Sequence, residues 1–225
     1  MKILALEFSS SQRSVALLDD QTGIAKAPGI FAVKTDARNM RPLSLVDAVL
    51  RDAKIKPEHI EYLVVGTGPG SYNGIRSAIA VAQGWQLAQP VRLLGISSVE
   101  CLAAQAQDQG CSGRVNLVSD AQRNEFYLAS YEISSSQRRE VRPLRMAVVA
   151  EVQSLLNAGE LVIGPEVQRW FSAARPLFPE AATLAKLAVG RTDFLSGEKL
   201  EPIYLREINF VKAPPPRVLP FGDKL

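Results

Sequence analysis

The sequence predicts a two-lobed α/β protein. Strand-like and helix-like segments alternate through the first half, and the second half opens with a similar run of strand, acid, polar turn and strand. The length of 225 residues fits two lobes, each of roughly 100 residues. Hydrophobic residues make up 47% of the chain and charged residues 22%, which is typical of a globular protein. We therefore expect an ordered core in each half.

The first half is predicted to have the order β-β-β-α-β-α-β-α. Its elements are strands at 2–8, 14–18 and 29–35, a helix from an N-cap at Asn39 to about Lys54, a strand at 62–66, a helix from about Ser71 to Ala88, a strand at 92–96, and a helix capped by Ser97 or Ser98. A short polar turn separates the first two strands, which indicates a hairpin.

The second half is predicted to keep this order with less helix. Its elements are strands at 115–119, 126–131 and 141–149, a helix at 151–157 and a strand at 161–163. Leu6-Glu7 with Gln12-Arg13 can be laid over Ser119-Asp120 with Gln122-Arg123, which suggests a repeated lobe, with chance as the alternative for so short a match. We predict an N-terminal lobe at 1–110, a smaller lobe at 111–211 and an extended proline-rich tail at 212–225.

A glycine-rich segment, Gly66 to Arg76, joins a predicted buried strand to a helix. Backbone N–H groups at such a turn can hold an anion. The segment lacks the lysine of a P-loop, and a serine stands where the third glycine of GxGxxG would be. We therefore predict that it chiefly shapes a tight turn. Its candidate site residues are Gly68, Pro69, Gly70, Ser71, Gly74 and Arg76.

Few other residues indicate chemistry. Glu7 and Asp120 each follow the first strand of a half, where paired acids could hold hydrated magnesium, the alternative being ordinary turn residues. The single histidine, His59, is predicted in a surface helical turn, and Cys101 and Cys111 lack the spacing of a zinc site. We predict no catalytic residue and no metal site in this chain, and two structural thiols.

The charge balance gives little support for direct nucleic-acid binding. The formal charge of +3 arises from 26 basic and 23 acidic residues, so binding would need local clustering. Arg138, Arg139, Arg142 and Arg145 form the one cluster in the sequence, and we predict that they lie on a solvated loop. No apolar run has the length of a membrane span, and we expect a cytoplasmic protein.

Four stretches of the chain resemble the TsaB (YeaZ) family. They are Ile3 to Ser10 with Ser14 to Leu17, Gly68 to Arg76 with Ala82-Gln83-Gly84, Asp120 to Tyr127, and Pro202 to Arg206. The resemblance implies a duplicated actin-like (ribonuclease H-like) fold with a reduced second lobe. It also implies a dimerization subunit of the bacterial machinery that makes threonylcarbamoyladenosine in tRNA.

The resemblance further implies the partners of the chain. Catalysis would belong to a TsaD-type subunit, and a TsaE-type ATPase would join the assembly. ATP and metal would therefore be bound by partner subunits and not by this chain alone. The chain would form a homodimer in isolation and would meet tRNA only through the complex.

We predict that the helices at 39–54 and 71–88 form the docking surface. A helix that is apolar on two sides needs two burying neighbours, and these are either elements of the same chain or a partner. The resemblance favours the partner, since family members pair through these helices. The predicted interface residues are Leu43, Val46, Leu50, Ile75, Ala78, Ile79, Val81, Ala82 and Trp85.

Two enzyme classes are the alternatives. An ATP-dependent phosphotransferase or ATPase of the actin-like fold would use Glu7, Asp120 and the glycine-rich turn. Against it, Val162 to Pro165 offers one glycine and then a proline where an adenosine cradle would lie. A metallopeptidase would need a second histidine, which the sequence lacks.

Overall fold

The computed structural model describes residues 1–19, 29–35 and 41–206. The first half confirms the predicted order of strands and helices. Its elements are β1 (Lys2–Glu7), β2 (Arg13–Asp19), β3 (Gly29–Thr35), α1 (Pro42–Ala53), β4 (Tyr62–Gly66), α2 (Tyr72–Ala88), β5 (Arg92–Ile96) and α3 (Ser98–Asp108). A 3₁₀ turn at Pro57–His59 places His59 on the surface, as predicted.

The second half contains two elements that the sequence did not predict. Its elements are β6 (Gly113–Asp120), β7 (Glu125–Ile133), β8 (Arg138–Val148), α4 (Val149–Asn157), β9 (Leu161–Gly164), β10 (Arg175–Pro176) and α5 (Ala181–Ala188). The short strand β10 and the helix α5 are the additions. The proline-rich segment at 212–225 lies outside the described residues.

The two five-stranded sheets have the same strand order. The first runs β3-β2-β1-β4-β5, and the second runs β8-β7-β6-β9-β10. In each sheet the first strand of the half pairs antiparallel with the second and parallel with the fourth. This repetition confirms the duplicated actin-like fold and supports the internal repeat suggested by the short sequence match.

Both faces of the first sheet are buried. Leu4, Leu6 and Phe8 point to a core that α1 and α2 cover. Ile3 and Ala5 point to the opposite face, where residues of α5 complete the core. The alternation follows from the two-residue period of a strand. Helix α5 thus comes after the strands of the second half in sequence but packs on β1 and β2 of the first sheet. The predicted lobe boundaries stay a prediction.

Two local predictions were wrong. Helix α1 begins at Pro42 with Arg41 as its N-cap, whereas the predicted cap, Asn39, lies outside the described residues. Proline fits the first helical position because its missing N–H has no intrahelical acceptor there. The arginine cluster at 138–145 lies on β8 and not on a loop. Because β8 is an edge strand of its sheet, its charged side chains can remain in solvent.

Length and polarity distinguish the described helices from a membrane span. None of those within residues 1–19, 29–35 and 41–206 is both long and apolar enough to cross a bilayer.

Candidate functional site

Hydrogen bonds to two neighbouring elements fix the glycine-rich turn between β4 and α2. The Ser98 N–H donates to the Gly68 carbonyl at 2.8 Å, and the Ser71 N–H donates to the Ser9 carbonyl at 2.6 Å. The Ser71 hydroxyl also accepts from the Gly74 N–H at 3.3 Å and so caps α2. The turn therefore ties the end of β1 to the first turns of α2 and α3.

Two glycines of this turn allow a close approach of backbone to backbone. A Cβ atom on Gly70 would collide with the Ser9 carbonyl, and one on Gly74 would collide with the Phe8 carbonyl. Gly70 also has a φ of +151°, a backbone angle that residues with a side chain rarely adopt. These contacts favour the interpretation that the glycines serve packing of the turn.

Pro69 and Arg76 complete the predicted set of turn residues. The Gly68–Pro69 peptide bond is cis. Arg76 is exposed, and its guanidinium donates to the Tyr72 hydroxyl at 2.9 Å and lies 5.1 Å from the centre of that ring. Arg76 is thus held by its own helix and does not line the space beside the turn.

Glu7 is turned into the first lobe. Its side chain is fully buried, and its carboxylate accepts from the Ser9 N–H at 2.7 Å and from the Ser98 hydroxyl at 2.8 Å. Burial raises the pKa of Glu7, and the hydrogen bonds from Ser9 and Ser98 partly offset this rise. A magnesium ion held jointly by Glu7 and Asp120 does not fit this geometry, because Asp120 alone of the two lines the cleft.

An open cleft of about 1660 Å³ lies where the two halves meet. The turn after β1 and the start of α2 form one wall, and the β6–β7 turn with the segment after β9 forms the other. Five serines contribute to the lining: Ser9, Ser10, Ser11, Ser71 and Ser119. A direct hydrogen bond crosses the cleft, from the Ser11 N–H to the Glu166 carboxylate at 2.7 Å.

The segment 201–206, here called the strap, crosses from one wall of the cleft to the other. The Ile203 N–H donates to the Thr67 carbonyl at 2.9 Å in the first lobe. The Tyr204 ring lies 5.4 Å from the Tyr72 ring, centre to centre. Arg206 then reaches the second lobe, so the strap joins the two halves.

Arg206 binds an unusual backbone turn between β6 and β7. Residues 122–124 all have positive φ, at 65°, 59° and 61°, although none is glycine. This left-handed conformation is uncommon for such residues. The Arg206 guanidinium donates to the Ala121 carbonyl at 2.9 Å, to the Gln122 carbonyl at 3.1 Å and to the Glu125 carboxylate at 2.6 Å. These bonds hold the turn in place.

Most of the predicted interface residues lie in the core of their own lobe. The six buried side chains are Val46, Leu50, Ile75, Ala78, Ile79 and Ala82. Val81 and Trp85 are partly buried against the same core, whereas Leu43 is 62% exposed. The apolar stripe of α2 thus faces its own sheet, and a partner can reach only the opposite side of the helix.

The remaining candidate residues lie apart from the cleft. His59 is exposed on its 3₁₀ turn, and Cys101 and Cys111 are buried free thiols. Within the described parts of the chain, no group of three histidine, cysteine, aspartate or glutamate side chains is arranged to hold a metal ion.

Three arginines that line the cleft were not among the predicted site residues. Arg13 lies at the start of β2, Arg123 on the β6–β7 turn, and Arg169 in the 3₁₀ turn Val167–Arg169. They are far apart in sequence, so no charge run marks them. The short match between Gln12-Arg13 and Gln122-Arg123 was the available signal, because the repeat places both arginines after the first strand of a half.

Comparisons with known proteins match this chain to a TsaD family model and to relatives named TsaB. A family model described as TsaD, tRNA N6-adenosine threonylcarbamoyltransferase, matches residues 33–207. Two relatives are named tRNA threonylcarbamoyladenosine biosynthesis protein TsaB. The one from Escherichia coli (strain K12) is 28% identical over 228 residues, covering 92% of this chain and 95% of the relative. The one from Bacillus subtilis (strain 168) is 30% identical over 159 residues, covering 70% of this chain and 66% of the relative.

A solved structure agrees with this assignment. It is the crystal structure of an uncharacterized protein from Pseudomonas aeruginosa with similarity to peptidase YEAZ. That protein is 25% identical to this chain, with a TM-score of 0.75, and the match covers 91% of this chain and 99% of the other.

Proposed function

This chain belongs to the TsaB (YeaZ) family, and from that premise we propose that it is a non-catalytic dimerization subunit in tRNA threonylcarbamoyladenosine biosynthesis. Its catalytic partner is a TsaD-type subunit, and a TsaE-type ATPase joins the assembly in the cytoplasm. A relative that is named for this pathway, and that matches this chain over nearly its full length, supports the assignment. This chain contributes a folded surface to the assembly and leaves the reaction to the partner.

The position of Glu7 carries the non-catalytic part of the proposal. Enzymes that transfer phosphoryl groups hold Mg²⁺ with carboxylates beside the phosphates. Here the Glu7 carboxylate is fully buried and takes hydrogen bonds from Ser9 and Ser98, so Asp120 is left without its expected acidic partner at the cleft. This supports the proposal that ATP and metal are bound by partner subunits.

The proposed docking surface is the outward side of α1 and α2. Leu87 is 90% exposed and Leu43 is 62% exposed. Ala80 and Gly84 are exposed on α2 between the buried positions, and a Cβ on Gly84 would meet no atom within 4 Å. Small residues at these positions let another helix approach closely. The exposed leucines supply apolar area for it to cover.

The same surface serves the proposed homodimer. A two-fold pair uses one patch on both copies, and a TsaD-type subunit of related fold can replace one copy. Homodimer and heterodimer are therefore alternatives that compete for α1 and α2, and the heterodimer is the working form.

Reconstitution tests the proposal. The chain, its TsaD-type and TsaE-type partners from the same organism, ATP, a threonylcarbamoyl donor and a tRNA transcript are combined, and the modified nucleoside is quantified by mass spectrometry. We expect the product only when the chain is present, and none from the chain alone. Full product without the chain contradicts the scaffold role. ATP hydrolysis by the chain alone that Asp120→Ala abolishes favours an ATPase of this fold instead.

A further inference from the structure

We propose that the cleft between the two halves is an RNA-binding groove in which Arg13, Arg123 and Arg169 each contact a phosphate of a single-stranded segment. This inference rests on the proposed function, because a role in tRNA modification makes RNA the polyanion at hand. It departs from the expectation that tRNA meets this chain only through the complex. Because the overall charge is only +3, RNA binding needs a local cluster of basic side chains, and the arginines that line this cleft form one.

The three arginines come from both walls of the cleft. Arg13 belongs to the first half, and Arg123 and Arg169 belong to the second. Arg123 and Arg169 are exposed, and the Arg13 guanidinium lies 5.8 Å from the centre of the Phe8 ring. Across the described residues, none of the three forms an ion pair with a carboxylate, so their N–H groups can bind phosphate oxygens.

The acids of the cleft are already engaged by this chain. Asp120 accepts from the Gln122 N–H at 2.6 Å, and Glu166 accepts from the Ser11 N–H at 2.7 Å. Glu125 accepts from Arg206 at 2.6 Å. These contacts hold the three carboxylates against their own backbone or a fourth arginine. They leave the positive side chains free to meet a ligand.

The size of the cleft favours a chain over a single nucleotide. Its volume of about 1660 Å³ exceeds the range that a drug-sized ligand fills, which is about 300–1,000 Å³. It is also open to solvent, as a site for a flexible chain must be. Because Glu7 is turned away from the cleft, the arginines and serine hydroxyls are the groups that would meet phosphate, as they do in phosphodiester backbone recognition.

The rim of the cleft offers aromatic surface for bases. The Tyr72 and Tyr204 side chains are 52% and 47% exposed, and both line the cleft. Aromatic faces beside a positively charged groove are how proteins hold single-stranded nucleic acid with little sequence preference. An acidic peptide would use the arginines but would not gain from these rings, and this difference separates the two ligands.

Salt dependence of binding tests the groove. The full chain is titrated into fluorescently labelled dodecauridine, and into a labelled tRNA transcript, at several salt concentrations. Three phosphate contacts predict a slope of log K against log salt of about −2, at about 0.7 per contact for single strands. The double variant Arg123→Gln/Arg169→Gln should show a slope of about −0.7 and bind about 25-fold more weakly at 0.1 M salt.

Matched variants on the edge strand β8 serve as the control. Arg139 and Arg142 are exposed in the same half and lie outside the cleft, so Arg139→Gln/Arg142→Gln should keep the parent slope and affinity. Thermal unfolding checks that both double variants are folded, and Arg169→Gln alone replaces the cleft pair if that pair unfolds.

Four outcomes contradict the groove: no RNA binding by the parent chain, an unchanged slope in the cleft variant, an equal loss in the β8 variant, or equal competition by poly-glutamate or by ATP. If RNA binding fails while reconstitution still requires the chain, the groove is wrong and the proposed function stands.

Discussion

The Glu7 carboxylate and the Ser98 hydroxyl are joined by a buried hydrogen bond of 2.8 Å. It links the end of β1 to the first turn of α3. The Ser98 hydroxyl also accepts from the Gly68 N–H at 3.2 Å, so the same pair fixes the glycine-rich turn. A carboxylate at this strand end therefore organises the first lobe, and its chemistry predicts how the stability of the protein depends on pH.

Replacing Glu7 by glutamine should change the pH dependence of stability. Burial raises the pKa of Glu7 above its ordinary value of 4.5, so the folded state binds the proton more tightly than the unfolded chain does. The stability that Glu7 contributes is fully present below its unfolded pKa and is lost as pH rises through the folded pKa. Urea unfolding should show the wild type losing free energy of unfolding relative to Glu7→Gln as the pH rises above 4.5. A constant difference between the two proteins contradicts this account.

Two glycines of α2 should respond in opposite ways to alanine. Gly74→Ala places a Cβ against the Phe8 carbonyl and should destabilise the chain, by about 1–3 kcal/mol. Gly84→Ala meets open space in the same helix and should stabilise it, by about 0.5–1 kcal/mol. Thermal unfolding of dilute, monomeric protein measures both effects. Equal effects would mean that Gly74 is not in contact with Phe8, the residue that follows β1.

Removing the Arg206 side chain should loosen the strap. Arg206→Ala loses hydrogen bonds to two carbonyls and to the partly exposed Glu125, with an expected loss of about 1 kcal/mol. The clearer readout is hydrogen–deuterium exchange, which should rise in the β6–β7 turn at 121–125. Arg139→Ala, on exposed β8, is the matched control and should leave exchange there unchanged. Wild-type exchange in Arg206→Ala would show that the strap does not hold the turn.

The strand order of the first half was readable from the sequence because each element has a clear period and a strong boundary. Helix α2 begins at Tyr72, next to the predicted start at Ser71, and Ser97, one of the two predicted caps, caps α3. Helix α5 was missed because its eight residues carry no side-chain cap and lie in a short apolar run. A strand at 141–149 was predicted, but the charged residues 138–140 concealed the start of β8, since an edge strand with exposed side chains shows no apolar alternation.

The candidate site was harder to predict, for two physical reasons. Periodicity shows that Ile75 and Ala82 are buried, but it does not show which element buries them. The structure shows that they pack on their own sheet. The direction of Glu7 was available in principle, because Ile3, Ala5 and Glu7 share one face of β1 by the two-residue period. The arginines of the cleft come from three separate elements, and only the folded chain brings them together.

Association with a TsaD-type subunit tests the central claim most directly. Ala80 is exposed on α2 and Ala150 is exposed on α4, so both accept glutamate without burying a charge in their own lobe. Ala82→Glu is unsuitable because Ala82 is fully buried. In co-purification with the TsaD-type partner, we predict that Ala80→Glu weakens association at least tenfold, because it buries an unpaired charge at the interface. Ala150→Glu should associate like the wild type. Unchanged association of folded Ala80→Glu would contradict docking through α1 and α2.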